Sequence, residues 1–354
     1  MQTAIKKSFI CKNIKSYNLD KSQILSHLPK VGDVALFRVN KIGKHTRIQN
    51  YRGKNRLLFP GDLVLLAFGN RYATNQIEGY VPDTPQPEYH ILGQGGVAGI
   101  VRTMYAPLLE KGPTSLELVA YATDENGRIL NTKTPQRELM QVARKNKNSA
   151  KVILSVGTAM DSGKTTTAGY LCRGIAKSGK KVAYMKLTGT VYTKDMNFAL
   201  DCGAHVVIDF SYYGFPSTFM CGEKELIHLF HALLHALEKD APEYVVVEIA
   251  DGLLQRETAM LLQDPDFMGR VNNVIFSAGD SLSVLSGMNL LETWGAKPFA
   301  VSGVFTSRPL LVQEVNAASP VPVLTLEDLD SAEVIEYLKE KQFINLKKHA
   351  DLAA

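Results

Sequence analysis

Residues 155–171 read SVGTAMDSGKTTTAGYL, and this stretch decides the fold expected for the second half of the chain. It continues the apolar run KVILSV (151–156) and leads into KTTTAGYLCRGIAKSG (164–179), whose spacing is typical of an amphipathic helix that ends at a glycine. A buried strand, a glycine-containing loop and a helix thus follow one another in the order that a phosphate-binding loop requires.

The loop departs from the usual pattern G-x-x-x-x-G-K-[ST] at one position. Thr158 stands five residues before Gly163, and the nearest upstream glycine, Gly157, lies one residue earlier. In such loops backbone N–H groups and a helix N-terminus converge on phosphates, a lysine reaches the β- and γ-oxygens, and the adjacent hydroxyl ligates Mg²⁺. We expect Lys164 and Thr165 in these two roles. The alternative is a glycine-rich turn with a coincidental G-K-T, and the flanking elements favour the phosphate loop.

Beyond residue 150, apolar runs rich in β-branched residues alternate with segments of helical spacing. Such an alternation predicts βαβ units and a mainly parallel sheet covered on both faces, that is, a doubly wound α/β domain. The runs are KVILSV, KVAYMKL, AHVVIDF, YVVVEIA, NNVIFSA, PFAVSGVF and VPVLTL.

The first part of the chain has a different period and many turn signals. Its strand candidates predict a small β-rich domain, either a barrel or a sandwich. They are VALFRVNKI, RLLF, DLVLLAFG, GGVAGIVRTMY and SLELVAYAT. A short helix and a basic connector follow in PQRELMQVARKNKNSA, so we expect domains at 1–148 and 149–354.

Composition indicates a cytoplasmic globular protein. Of the 354 residues 45% are hydrophobic and 21% charged, no apolar stretch is long enough to span a membrane, and the N-terminus has no signal-peptide pattern. The four cysteines are scattered, which predicts neither a zinc site nor a disulfide framework. We expect no membrane partner.

Charge is divided unevenly along the chain. Residues 1–150 contain 22 Lys and Arg against 11 Asp and Glu, whereas the remainder contains 18 against 24. The segment KIGKHTRIQNYRGKNR (41–56) mixes cations with Tyr51, as suits phosphate contacts and base stacking on nucleic acid. The alternative is a solvated basic hairpin, or a segment that contacts the acidic second half of the chain.

The loop resembles that of dethiobiotin synthetase and its relatives. Their pattern G-T-D-x-x-x-G-K-T has Ala159 here in place of the aspartate, and it is matched at Gly157, Thr158, Gly163, Lys164 and Thr165. The resemblance covers roughly residues 150–325 and implies the dethiobiotin synthetase/MobB-like branch of P-loop NTPases. MobB-type proteins of this branch bind nucleotide in molybdenum-cofactor assembly, and sites in this group are often completed between subunits, so a homodimer is possible.

A second motif lies in YVVVEIADGLLQRE (244–257), where an apolar strand ends in Glu248. An acidic residue at the carboxyl edge of such a sheet holds Mg²⁺ or positions water. The segment resembles V-V-E-G-x-G-G-L of dethiobiotin synthetases, with Ile249, Ala250 and Asp251 departing from the pattern. The alternative is a carboxylate that caps the next helix, for which Asp251 is the better candidate.

Three further positions are candidates, two of them, Lys186 and Arg308, through the resemblance and Asp195 through its place in the loop after Lys186. Lys186, in KLTGT, stands at a strand end where relatives place a lysine against phosphates or substrate; the alternative is a lysine that reaches solvent. Asp195 is either a second metal ligand or a turn residue. Arg308 ends a late strand where relatives recognise the base. The expected nucleotide contacts are Gly157, Thr158, Asp161, Ser162, Gly163, Lys164, Thr165, Thr166 and Arg308.

These features support two hypotheses of function. In the first, ATP and Mg²⁺ bind over the loop, and Lys164, Lys186 and Glu248 serve transfer of the γ-phosphoryl group to water or to an unknown small-molecule acceptor. A polynucleotide kinase that uses the basic first domain is a variant with a nucleic-acid acceptor. In the second hypothesis the chain is a nucleotide-dependent switch or binding module.

Overall fold

A computed structural model of the chain describes residues 4–338. These residues divide into two compact units, and the chain passes from the first to the second between Leu139 and Met140. Two later segments, Thr188–Lys194 and Phe210–Met220, pack with the first unit. The sequence predicted a boundary at residue 148 and gave no sign of these two segments. Residues 1–3 and 339–354, which the predicted domains include, lie outside the described range.

The first unit is β-rich, as predicted. Its strands are β1 (Lys6–Lys7), β2 (Asn18–Asp20), β3 (Val34–Lys41), β4 (Arg47–Gln49), β5 (Asn55–Leu57), β6 (Leu63–Phe68), β7 (Ile77–Tyr80), β8 (Tyr89–Gly93), β9 (Val97–Met104) and β10 (Ser115–Thr123). The main sheet runs β1-β6-β3-β10-β8-β9-β7, and β6 also pairs with β9. The last pairing closes β6, β3, β10, β8 and β9 into a barrel, one of the two architectures the sequence allowed.

Aromatic rings fill the barrel. Phe37 on β3, Phe68 on β6 and Tyr89 on β8 are buried and pack edge to face, with ring centroids 5.4–5.8 Å apart. Strands β3 and β6 read as apolar runs because most of their residues are buried. The sequence did not indicate β8 (YHILG), since a five-residue run with a histidine at its second position has no clear alternation.

Lys44, between β3 and β4, has a pKa close to neutral pH. Its Nζ donates to Oε1 of Gln76, and the guanidinium of Arg71 donates to the same oxygen at 2.7 Å. Burial, and to a smaller extent the charge of Arg71, lower the pKa of Lys44 to about 7. The folded unit therefore disfavours the ammonium form that the unfolded chain keeps until about pH 10.

This lysine makes stability depend on pH. The unfolded chain binds more protons than the folded chain between about pH 7 and pH 10, so the wild type should gain stability across that window. We expect the stability of Lys44→Met relative to the wild type to be highest below pH 7. This relative stability should fall as pH rises, because the wild type gains stability. Urea unfolding at two pH values measures it, with Lys41→Met, an exposed position, as control. A difference independent of pH would contradict this account.

The second unit contains a six-stranded sheet in the order β13-β12-β14-β11-β15-β16. Its strands are β11 (Lys151–Gly157), β12 (Val182–Lys186), β13 (Val206–Asp209), β14 (Tyr244–Glu248), β15 (Val271–Ser277) and β16 (Ala300–Ser302). Every pairing is parallel. The predicted α/β class, with a β-rich region before a parallel sheet, is confirmed.

Helices alternate with these strands. They are α1 (Gln136–Ala143), α2 (Lys164–Lys177), α3 (Lys194–Asp201), α4 (Glu223–Leu237), α5 (Arg256–Gln263), α6 (Pro265–Arg270), α7 (Ser281–Thr293), α8 (Pro309–Ala318) and α9 (Leu326–Asp330). No helix in the described part of the chain is long and apolar enough to cross a membrane.

The sheet is buried on both faces near its centre. All five residues of β14 are buried, and Ile153, Tyr184 and Val246 share a core with side chains of α2. The seventh predicted strand, VPVLTL, does not form. Val323 makes only an isolated parallel bridge to Val301. The chain turns into α9 at Thr325, whose side chain and that of Asp328 form a capping box that begins a helix instead.

Candidate functional site

The loop between β11 and α2 has the backbone of a tight phosphate-binding turn. Strand β11 lies between β14 and β15, and Gly157 is its last residue. The N–H of Thr158 then donates to the carbonyl of Ser277 on β15 at 2.9 Å. Asp161 and Gly163 both have left-handed backbones, with φ of 65° and 96°. Two such residues turn the chain sharply into α2.

Glycine is required at both ends of the loop. A Cβ on Gly157 would collide with the Ser162 hydroxyl, and one on Gly163 would lie 3.0 Å from the Cα of Gly303. Gly157 therefore permits the close approach of the Ser162 side chain, although it stands one residue earlier than the glycine of the usual pattern. The longer loop is a feature of this fold and not a failed motif.

A second segment lies directly against the loop. A Cβ on Gly252, four residues after the end of β14, would collide with the carbonyl oxygen of Thr158 and lie 2.7 Å from the Cα of Ala159. Both clashing atoms belong to backbone, which cannot move aside as a flexible side chain could. The close packing of Gly252 against Thr158 and Ala159 thus helps to hold the loop backbone in this conformation.

We expect Gly252→Ala to weaken nucleotide binding by about tenfold or more, because displacing the loop backbone by an ångström misplaces several phosphate donors together. Isothermal titration calorimetry with ATP and Mg²⁺ measures the effect. Gly269→Ala is the matched control, since a Cβ there meets nothing within 4 Å. Equal affinities for the two variants would show that the contact at Gly252 does not shape the loop.

Helix α2 begins directly at the loop and leaves its N-terminus open to an anion. It has no side-chain N-cap bond and no acidic residue in its first turn. Its first N–H groups and its dipole therefore favour negative charge. The buried hydroxyl of Ser162 has no hydrogen-bond partner within the described residues. An unsatisfied buried donor beside an open helix N-terminus fits a phosphate oxygen.

Lys164 is the first residue of α2 and turns back over the loop. Its side chain is buried, and Nζ donates to the carbonyl of Ala159 at 3.0 Å. Burial lowers the pKa of Lys164, while the charges of Glu248 and Asp251 act in the opposite direction. A buried ammonium that donates to a neutral carbonyl gains from a phosphate, which would place a negative charge directly against it.

Thr165 and Glu248 meet beside the loop. The Thr165 hydroxyl donates to Oε1 of Glu248 at 2.9 Å, and Tyr184 on β12 donates through its hydroxyl to Oε2 at 2.5 Å. Glu248 is 1% exposed. The hydroxyl next to the loop lysine and the carboxylate that ends the neighbouring strand are thus in direct contact. The sequence predicted both residues as magnesium ligands but did not predict this hydrogen bond.

Lys186 and Asp195 form an ion pair at the end of β12. Burial alone would lower the pKa of Lys186, but the charges of Asp195 and Glu248 outweigh burial and raise the pKa above its ordinary value. The lysine therefore does not extend into solvent, which was the alternative to a functional role. Asp195 is bound to this lysine, and its role as a metal ligand remains a prediction.

The donor set fits a magnesium ion. Thr165 offers a hydroxyl and Glu248 a carboxylate, both hard oxygen ligands of the kind Mg²⁺ prefers. Within the described residues no group of three His, Cys, Asp or Glu side chains could hold a metal by itself. Magnesium commonly takes one or two protein ligands and completes its octahedron with phosphate oxygens and water, so a two-residue set is sufficient.

Three further residues at the same sheet edge make different contacts. Arg308 is exposed and donates to the carbonyl of Gly279 at 3.3 Å, so its contact with a base remains a prediction. Asp280 accepts from the N–H of Ser283 and caps α7. The suggestion that Asp251 caps the next helix is wrong, because Gln255 caps α5. Asp251 has a left-handed backbone, with φ of 62°.

Sequence reasoning missed two residues of the site. Tyr184 lies within KVAYMKL, where a tyrosine reads as one more core residue of an apolar strand. Gly252 matches a glycine of the V-V-E-G-x-G-G-L pattern, so the resemblance could have singled it out, but its packing against the loop was not predicted. The remaining loop residue, Thr166, is half-buried in the first turn of α2, where the sequence placed it.

The basic segment 41–56 forms a hairpin in the first unit. Strands β4 and β5 pair antiparallel, and Tyr51 between them is 44% exposed. The guanidinium of Arg52 lies 5.3 Å from its ring centroid, and Nζ of Lys7 lies 5.8 Å from it. The predicted mixture of cations and an exposed ring is therefore present on this hairpin, although Lys44 is directed towards Gln76 instead.

Comparison with known proteins gives only distant likenesses. No protein-family model and no curated protein matches the chain. A crystal structure of the signal recognition particle receptor FtsY from Elizabethkingia anophelis is 17% identical, covering 57% of this chain and 71% of that one, with a TM-score of 0.35.

Two further solved structures show similarity of the same order. The signal recognition particle 54 kDa protein from Aeropyrum pernix K1, in complex with GDP, is 19% identical over 58% of this chain and 51% of that one, with a TM-score of 0.36. The hydrogenase maturation factor HypB from Archaeoglobus fulgidus is 17% identical over 57% and 94%, with a TM-score of 0.35. Strand order and loop geometry carry the functional argument below.

Proposed function

We propose that the second unit binds a nucleoside triphosphate, ATP in the first instance, together with Mg²⁺. The observation that carries this proposal is the convergence of the open N-terminus of α2, the buried Lys164 and the contact between Thr165 and Glu248. Each of these three features either lowers the stability of the fold or is not explained by it. Together they match the charge and oxygen pattern of a magnesium triphosphate.

Each of these residues would have a role set by its position in the site. The N–H groups from Thr158 to Thr166 would cradle the phosphates, and Lys164 would neutralise the β- and γ-oxygens. Thr165 and Glu248 would hold Mg²⁺, which when bound would withdraw charge from the phosphates. Glu248 would also orient water. Such a site acts by positioning and by electrostatic stabilisation, so the γ-phosphoryl group would pass to water or to a small acceptor near Lys186.

A nucleotide-dependent switch is the second candidate, and one observation favours it. Lys186 and Asp195 bracket the segment Thr188–Lys194 in the sequence, and this segment packs within the first unit. There the Gln49 amide donates to the Thr193 hydroxyl at 2.7 Å, and the Thr193 N–H donates to the Gln49 oxygen at 3.2 Å. The MobB-like resemblance favours a binding module as well. A polynucleotide kinase remains the variant in which the basic unit binds the acceptor.

The two candidate functions differ in whether nucleotide turnover depends on an acceptor. We would measure binding and hydrolysis of ATP and GTP with Mg²⁺, alone and with a panel of small carboxylates and single-stranded RNA or DNA. An enzyme transfers label to one acceptor or is stimulated by it, and label on a nucleic-acid 5′ end would identify the kinase. A switch binds nucleotide with slow, acceptor-independent turnover. Absence of nucleotide binding would refute both.

A further inference from the structure

Glu248 is held on both of its oxygens by hydroxyl groups. Thr165 donates to Oε1, and Tyr184 donates to Oε2. The phenol of Tyr184 is fully buried and so is its acceptor. Thr165 belongs to the loop pattern, whereas Tyr184 belongs to no motif, and its contact with the site rests on the fold alone.

The sheet register explains how the phenol reaches the carboxylate. Strands β12 and β14 are parallel neighbours, with Tyr184 opposite Val246 and Lys186 opposite Glu248. Residues two apart in a strand lie on the same face, so Tyr184 and Glu248 are diagonal neighbours on one face. A diagonal separation of this kind is bridged by a long aromatic side chain and not by a short one. The position therefore requires tyrosine for its length as well as for its hydroxyl.

We propose that Tyr184 is a positioning residue of the magnesium–nucleotide site, whose hydroxyl fixes the Glu248 carboxylate so that its second oxygen faces Thr165. The inference rests on the proposed function and adds a residue to it. Tyr184 would touch neither nucleotide nor metal and would act only through Glu248.

The chemistry of the contact supports this role. A phenol carries its proton at neutral pH, so the Tyr184 hydroxyl can donate to the carboxylate. A separation of 2.5 Å falls in the range of charge-assisted O–H···O⁻ bonds. A carboxylate fixed by one such bond keeps its other oxygen in a constant direction. Partners of this kind orient metal ligands in many sites, and their loss typically weakens metal binding about 10- to 100-fold.

A merely structural role for Tyr184 makes a different prediction. If the hydroxyl only satisfied a buried carboxylate, its loss would lower the stability of the second unit and leave the magnesium requirement unchanged. The magnesium requirement of nucleotide binding is therefore the informative measurement, and stability alone is not.

The test compares Tyr184→Phe with Tyr244→Phe. The first keeps the ring and removes the hydroxyl beside Glu248; the second makes the same change at Tyr244, which begins β14 at the opposite edge of the sheet. Binding of a fluorescent ATP analogue is followed in EDTA and over a magnesium titration, and thermal unfolding is followed in parallel. We expect Tyr184→Phe to need about tenfold more Mg²⁺ for half-maximal binding, with its affinity in EDTA within about twofold of wild type. Tyr244→Phe should behave as wild type.

A double variant shows whether the effect passes through Glu248. In a Glu248→Gln background, Tyr184→Phe should cause no further change in the magnesium requirement, because the carboxylate it positions is absent. An undiminished effect in that background would overturn the inference, as would an unchanged magnesium requirement in the single variant. In both cases the wild type still binds nucleotide. Failure of the wild type to bind nucleotide would instead refute the proposed function, and the inference with it.

Discussion

Lys164→Ala is expected to abolish nucleotide binding while leaving the fold intact. The ammonium is buried at the start of α2, held by the Ala159 carbonyl, and stands over the loop where the phosphates would lie. Removing one partner of a buried charged pair typically costs about 2–5 kcal/mol of binding free energy, which is roughly 30- to several-thousand-fold in affinity. Isothermal titration calorimetry with ATP and Mg²⁺ measures the loss.

The free variant should unfold at the same temperature as the wild type or at a higher one. Burial lowers the pKa of Lys164, so the ammonium costs stability in the absence of phosphate, and alanine removes that cost. Lys177→Ala is the matched control, because Lys177 ends the same helix and pairs with Asp330 at the surface. Retained binding by Lys164→Ala, or equal losses in both variants, would contradict the assignment of the loop.

Glu248→Gln is expected to impair magnesium-dependent turnover while leaving magnesium-independent nucleotide binding intact. The amide keeps the size of the side chain but removes the negative charge that faces Thr165, so it cannot serve as a hard anionic ligand. Hydrolysis or transfer should fall about 100- to 1,000-fold, as when a group that acts on developing charge is removed. Nucleotide affinity in EDTA should be unchanged or slightly higher, since one negative charge near the phosphates is lost.

The control for Glu248→Gln is Asp280→Asn. Asp280 follows strand β15, which is separated from β14 by β11, and caps α7; asparagine caps helices equally well. This variant should keep wild-type turnover and magnesium dependence. If Glu248→Gln still responded to magnesium as the wild type does, Glu248 would hold no metal, and the inference about Tyr184 would fall as well.

The centre of the site could be predicted because its parts are local. The run before Gly157, the glycines of the loop and the apolar spacing after Lys164 lie within one short stretch, and each constrains the same strand–loop–helix unit. The expectation that Thr165 and Glu248 serve one site rested on one general property, that parallel strands end at a common edge; their direct hydrogen bond was not predicted. A charge at the end of an apolar strand needs a partner, and the loop hydroxyl is that partner.

The remaining features depend on register and on distant packing. Tyr184 reaches Glu248 because β12 pairs with β14 in one particular alignment, which an apolar strand does not reveal in its own sequence. VPVLTL has the composition of a strand but forms only a bridge at Val323, since a capping box at Thr325 begins a helix. The segment Thr188–Lys194 packs with the first unit through side chains such as Thr193, whose partner Gln49 is remote in sequence.

Hydrogen exchange followed by mass spectrometry tests the central claim most directly. Backbone amides of the loop and of the first turn of α2 should exchange more slowly when ATP and Mg²⁺ are added, because phosphate oxygens accept from these N–H groups. We predict protection in peptides covering residues 157–167, greatest with Mg²⁺ and absent in Lys164→Ala. Binding of ATP with protection only elsewhere in the chain, or with none, would contradict the assignment of this loop as the phosphate site.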